Sequence, residues 1–210
     1  QAFKPENRKG NMKSFSRTSL MAAAVSLHVA TASAADFVEV QGLGTGVCFG
    51  TTTIGNHLLF LGNGTVYAAS APDTPPVALK AFPGSYDLSD IDGFIPFNGK
   101  LLFANPASGA TETWSTDGTP GGTTLAFSQR AARGVQSGAS LFFSTSSDLY
   151  VTDGTNAGTK LLKSIGGGYS LAPLFFTVLG TGVVFSANSS GPLIIDRELW
   201  KSDGTVAGTK

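Results

Sequence analysis

From residue 37 onward, short apolar and β-branched runs alternate with punctuation by Gly, Asn, Asp and Ser. That rhythm predicts strands joined by tight turns. No stretch past Asp36 carries a helical period, so the expected fold class is all-β. Residues 174–179, 182–188 and 198–203 read as three successive strands, and by analogy with 159–165 a fourth begins at Thr209. Within residues 114–117 the alternation puts Trp114 and Thr116 on one face and Asp117 on the other.

The apolar pattern repeats. Leu58-Leu-Phe60, Leu101-Leu-Phe103, Leu141-Phe-Phe143 and Val183-Val-Phe185 place phenylalanines 43, 40 and 42 residues apart. Three of these runs are followed by one ungapped pattern: an aromatic residue, a hydroxyl two positions on, then Asp-Gly-Thr and Gly-Thr. Its members are Trp114, Asp117, Gly118 and Thr119; Tyr150, Asp153, Gly154 and Thr155; and Trp200, Asp203, Gly204 and Thr205. Upstream, Val66-Tyr67 is a degenerate copy without the Asp-Gly-Thr. A period of roughly 40 to 45 residues is that of four-stranded propeller blades. The expectation is a β-propeller-like array of about four antiparallel four-stranded blades, forming an incomplete ring with the last blade cut short.

Each letter of the turn has a mechanical reading. The Asp117 carboxylate can accept a hydrogen bond from the backbone N–H of Thr119. Gly118 and Gly122 can take positive φ. Thr123 suits the start of a returning strand. The aromatic residue is a large filler where adjacent sheets are wedged apart. Residues 37–41 resemble the strand that follows the turn and are expected to form an outer strand borrowed by a terminal blade.

The segment Glu198-Leu199-Trp200-Lys201-Ser202-Asp203-Gly204-Thr205 resembles the signature of the bacterial ELWxxDGT repeat proteins, and Gly208-Thr209 fits its extension. Glu112-Thr113-Trp114 and Asp148-Leu149-Tyr150 are near variants. The resemblance covers roughly residues 37–210. It implies an exported, surface-associated protein of tandem β-blades, with no catalytic residues to carry over.

The N-terminal region changes the picture of charge. Lys13 and Arg17 precede an apolar stretch over residues 20–30, and Ala32-Ser33-Ala34 supplies small residues for cleavage. Residues 12–34 therefore read as a secretory signal peptide, and residues 1–11 as an upstream extension outside the fold. The apolar stretch is half of the roughly 20 residues that a membrane-spanning helix needs. The remaining 35–210 form the repeat domain. The full chain has a formal charge of zero, but without residues 1–34 nine basic groups face thirteen acidic ones. A mildly acidic chain with scattered Lys and Arg has no nucleic-acid footprint, and it contains no basic amphipathic helix for a membrane surface. With 13% charged residues, 27 Gly and 15 Phe, a helical bundle is excluded; a single Cys excludes a disulfide framework.

Candidate chemistry is sparse. His57 follows Gly55-Asn56 in an apparent turn, and no G-x-S-x-G elbow accompanies it. Cys48 lies in an apolar run and reads as a structural thiol. Asp87, Asp90 and Asp92 before Gly93 leave the first and last positions of a calcium loop unfilled. Calcium in that loop, or calcium or sugar at the Asp-Gly-Thr turns, is the alternative to a purely structural reading; no other cofactor is expected. The turns also loosely resemble the Asp-box of sialidase propellers, itself a structural hairpin. Of the arginines such an enzyme would need, only Arg130, Arg133 and Arg197 follow the leader. The glycine runs at 42–46 and 166–168 lack the ending of a phosphate loop. The expected role is a secreted or cell-surface binding or structural module, its partner a surface protein or a polysaccharide. The alternative is an extracellular glycan-acting hydrolase with its site in variable loops such as 83–93 and 186–197.

Overall fold

The computed structural model describes residues 48–71, 74–84, 93–165, 173–188 and 197–210. The extension, the leader, the borrowed strand at 37–41, the glycine runs, Asp87, Asp90, Asp92 and most of the two variable loops lie outside the described residues. Among the described residues there is no helix, and so none long and apolar enough to cross a membrane.

Among the described residues, fifteen strands form four antiparallel sheets, each a simple meander in chain order. The first holds β1 (Cys48–Ile54), β2 (His57–Gly62), β3 (Thr65–Ala69) and β4 (Val77–Ala81). The second holds β5 (Ile95–Phe97), β6 (Lys100–Ala104), β7 (Thr113–Thr116) and β8 (Thr124–Phe127). The third holds β9 (Arg133–Ser137), β10 (Ser140–Ser144), β11 (Asp148–Thr152) and β12 (Lys160–Ser164). The fourth has three strands, β13 (Leu174–Leu179), β14 (Gly182–Asn188) and β15 (Arg197–Ser202). Lys210 pairs with its outer strand, exchanging backbone hydrogen bonds of 2.8 and 3.0 Å with Lys201. No sheet closes into a barrel. The architecture is an all-β array of blade-like sheets, as the alternation predicts.

Local chemistry fixes each meander. The first and second strands of every sheet are joined by a two-residue turn whose leading residue has positive φ: Gly55 (54°), Asn98 (49°), Gly138 (59°) and Gly180 (62°). Such turns match strand twist and select Gly or Asn. Each of these residues stands five before the repeat phenylalanine. The four phenylalanines occupy equivalent places. Phe60 pairs with Tyr67, Phe103 with Trp114, Phe143 with Tyr150 and Phe185 with Trp200. In the three complete sheets the ladder between third and fourth strands shifts register at that aromatic residue. The residue displaced by the bulge, Leu79, Ala126 or Leu162, goes into the core.

Strand alternation gives each sheet a leading face toward the sheet before it and a trailing face toward the sheet after it. Leu59 and Leu61 on one trailing face meet Leu101 and Phe103 on the next leading face. Leu102 likewise meets Leu141 and Phe143, and Phe142 meets Val183 and Phe185. The first strands approach closely, β5 to β9 and β9 to β13. Farther out the gap is filled by larger groups. Phe82 packs edge-on to Trp114 at 5.4 Å, with the Lys80 ammonium 4.3 Å from the same ring. Phe127, Phe143 and Tyr150 stack at 5.1 and 5.3 Å. Lys163 stands 5.6 Å from the Trp200 ring.

Candidate functional site: the Asp-Gly-Thr turns

The turn after β7 is a closed hydrogen-bond circuit. One carboxylate oxygen of Asp117 accepts from the Thr119 backbone N–H at 2.9 Å and from the Thr119 hydroxyl at 2.7 Å. The Thr119 hydroxyl oxygen accepts the Gly122 N–H at 3.0 Å, and the Thr123 hydroxyl donates to the Thr119 carbonyl at 2.7 Å. With its proton so used, Thr123 accepts from Thr116 at 2.7 Å, and Thr116 in turn accepts the Gly118 N–H at 3.1 Å. Asp153 with Thr155, Gly158 and Thr159, and Asp203 with Thr205, Gly208 and Thr209, repeat the circuit. Distances agree among the three to about 0.3 Å, and Ser202 stands in for the inner threonine of the last.

Two glycines of the motif have separate causes. Gly118, Gly154 and Gly204 have φ of 91°, 95° and 89°, a conformation L side chains avoid. They also touch the preceding sheet: a Cβ on Gly118 would lie 3.0 Å from Ile54, on Gly154 2.9 Å from Phe97, and on Gly204 3.4 Å from Phe142. Gly122, Gly158 and Gly208 do not have positive φ, contrary to the expectation for Gly122. There a Cβ would overlap the carboxylate of Asp117, Asp153 or Asp203, which folds back over the turn. A second difference is small: β8 begins at Thr124, so Thr123 belongs to the turn circuit rather than to the returning strand.

All three aspartates are held below the ordinary carboxylate pKa, first by the threonine hydroxyl, then by the threonine backbone N–H, with a nearby lysine adding to the effect. They remain exposed anions at neutral pH. The aromatic members sit between sheets: Trp114 in the first interface, Tyr150 in the second, Trp200 in the third. Burial pushes the Tyr150 hydroxyl pKa up, and the Asp148 charge adds to it. The indole N–H groups of Trp114 and Trp200 are buried with no acceptor among the described residues. These rings are placed by the area they cover.

The remaining candidates do not converge. His57 opens β2 and lies beside the Gly118 turn, where a Cβ on that glycine would meet its ring at 3.5 Å. Cys48 opens β1 opposite Gly62, and the surroundings of its thiol lie outside the described residues. Arg130 donates to the Asn105 carbonyl at 2.6 Å, and Arg197 to the Ser186 carbonyl at 2.9 Å. Arg133 opens β9 in the third sheet. Among the described residues, no three His, Cys, Asp or Glu side chains gather as a metal-binding group. Between the third and fourth sheets a groove of about 320 Å³ runs past Phe142, Val151, Asp153, Lys160, Asp203 and Gly204. No protein-family model matches the chain, and no curated protein matches it.

Proposed function

We propose that the chain is an exported, surface-associated repeat module of the kind the ELWxxDGT signature marks, serving as a binding or structural element without chemistry of its own. One observation carries this reading. The repeated residues that most resemble a functional motif are consumed by folding. Asp117, Asp153 and Asp203 hold their own turns, the first glycine seats the turn on its neighbour, and the aromatic residues fill the gaps between sheets. A motif explained so fully by hairpin geometry supports a scaffold, and function on a scaffold belongs to the loops that vary from repeat to repeat. A surface protein or a polysaccharide is the partner class suited to such loops on a mildly acidic exported domain.

The test is a glycan array probed with residues 35–210, followed by incubation of any bound sugar and analysis for released product. The module reading expects retention with no turnover. Release of sugar that disappears when one acidic loop residue is exchanged would assign a hydrolase instead. Export is tested separately, by fusing residues 12–34 to a reporter that matures only outside the cytoplasm; retention of the reporter inside would remove that part of the reading.

A further inference from the structure

The fourth sheet is built like the others but wears its trailing face uncovered. Leu199 is 79% exposed, whereas Leu149, at the same register position in the third sheet, is 0% exposed. Leu179 is 68% exposed, whereas Phe97 at its equivalent is 4% exposed. Phe175, also on β13, is likewise exposed. Leucines at positions that are core in the third sheet (Leu149) and the second (Phe97) thus lie open on the fourth.

The polar outline of that surface says what fits it. In the third sheet, Gly204 of the next turn packs over Phe142 and Val151, and these residues with Lys160 and Asp203 wall the groove between the two sheets. Their equivalents in the fourth sheet, Val184, Lys201 and Lys210, line an open groove of about 300 Å³. The positions that Gly204 covers in the third sheet, Phe142 and Val151, thus recur in the fourth as Val184 and Lys201, with no following turn over them among the described residues. None of the chain's own Asp-Gly-Thr turns can take that place, because each is already seated: Gly118 against Ile54, Gly154 against Phe97, Gly204 against Phe142. The first sheet has Ser70-Ala71 at that place in the repeat. A second copy therefore has no free turn to offer.

We propose that the trailing face of the fourth sheet is a docking surface for a further sheet of the same construction, with an apolar Leu/Val-x-Phe strand and an Asp-Gly-Thr turn of its own, supplied by polypeptide other than residues 1–210. The occupant's apolar strand covers Leu179 and Leu199, and its Asp-Gly pair enters the groove beside Lys201 and Lys210. The inference continues three interfaces already described and stands whether or not the loops bind glycan.

Because Lys210 occupies the position of Lys160, repeating residues 161–210 directly after Lys210 completes the fourth sheet in register and presents a fifth. The reporter is Leu199→Cys in a Cys48→Ser background, read by the rate of maleimide labelling. The unextended chain labels at the rate of an exposed thiol. Docking slows labelling about tenfold or more in the extended chain, since reaction then waits on local opening. An extension whose copied Phe185 and Gly204 are changed to Asp and Val restores the fast rate, which separates docking from simple completion of the sheet edge. Val183→Cys stays unreactive in every chain that is folded, so loss of the fold is not mistaken for an open face. Equal, fast labelling of Leu199→Cys with and without the intact extension would overturn the proposal. So would an unextended chain that doubles its mass at micromolar concentration while protecting this cysteine, because a second copy would then own the face.

Discussion

At the scale of single residues, the Asp-Gly-Thr-x-x-Gly-Thr pattern is one hydrogen-bond circuit written three times. Its second glycine is the sharpest test, because the cause is steric rather than conformational. Gly158→Ala must push the Asp153 carboxylate off its turn and break its bonds to Thr155. The expected loss is about 1–3 kcal/mol, the range for undoing a named local network, read by urea denaturation. Gly121, with open space where a Cβ would go, tolerates the same change. A comparable loss at both positions would refute the carboxylate explanation. The circuit also sets a pH dependence. Each of the three aspartates has a pKa lower folded than unfolded, so its contribution is full above the unfolded value. That contribution is lost as pH falls through the folded value. The melting temperature is therefore expected to fall on acidification from neutrality to below about pH 4, and less steeply in a variant with all three changed to Asn. The Asp117-to-Thr119 backbone bond was legible in the sequence, being contained in three consecutive residues. The need for Gly122 was legible only as a glycine, since its cause is a carboxylate that returns across five positions.

At the scale of the hairpin, apolar runs mark strands and glycine marks turns, and the strands read at 114–117, 159–165, 174–179, 182–188 and 198–203 each fall within a residue of the structure. Less visible was the turn five positions before each phenylalanine. Gly55, Asn98, Gly138 and Gly180 look unrelated until their shared positive φ is known. Gly138 separates backbone strain from crowding, because a Cβ there would meet nothing within 4 Å. Gly138→Val is expected to cost about 1–2 kcal/mol from the left-handed conformation alone. Gly138→Asn is expected to be nearly neutral, since Asn98 already occupies this position in the second sheet at φ 49°. Equal destabilisation by both, in thermal or urea unfolding, would mean that the site is governed by packing instead. The bulges beside Tyr67, Trp114 and Tyr150 were not legible at all. A bulge adds no distinctive residue type; it shows only in pairing, as Tyr150 facing Leu161 while Leu149 faces Lys163.

At the scale of the molecule, strand alternation says that each sheet has two faces but not which neighbour covers which. Packing decides it, and the decision gives identical residues different energetic weight. Leu149 and Leu199 follow an acidic residue and precede an aromatic one, and both oppose a serine on the second strand, Ser144 and Ser186. Sequence alone ranks them equal. In the structure Leu149 belongs to the third interface, with Phe142 and Leu162 beside it, while Leu199 faces outward. Leu149→Ala is accordingly expected to lose about 2–5 kcal/mol, the transfer of a leucine side chain plus the cavity it leaves. Leu199→Ala is expected to change stability by no more than about 0.5 kcal/mol, as for an exposed site. Urea midpoints of the two variants, measured on the 210-residue chain, decide the matter. Equal losses would mean that the fourth sheet is covered in solution as the third is, and the stacking order from first to fourth sheet would have to be redrawn. A large loss at Leu149 alone fixes the direction of the array, because only a face with a following sheet makes its leucine costly to remove.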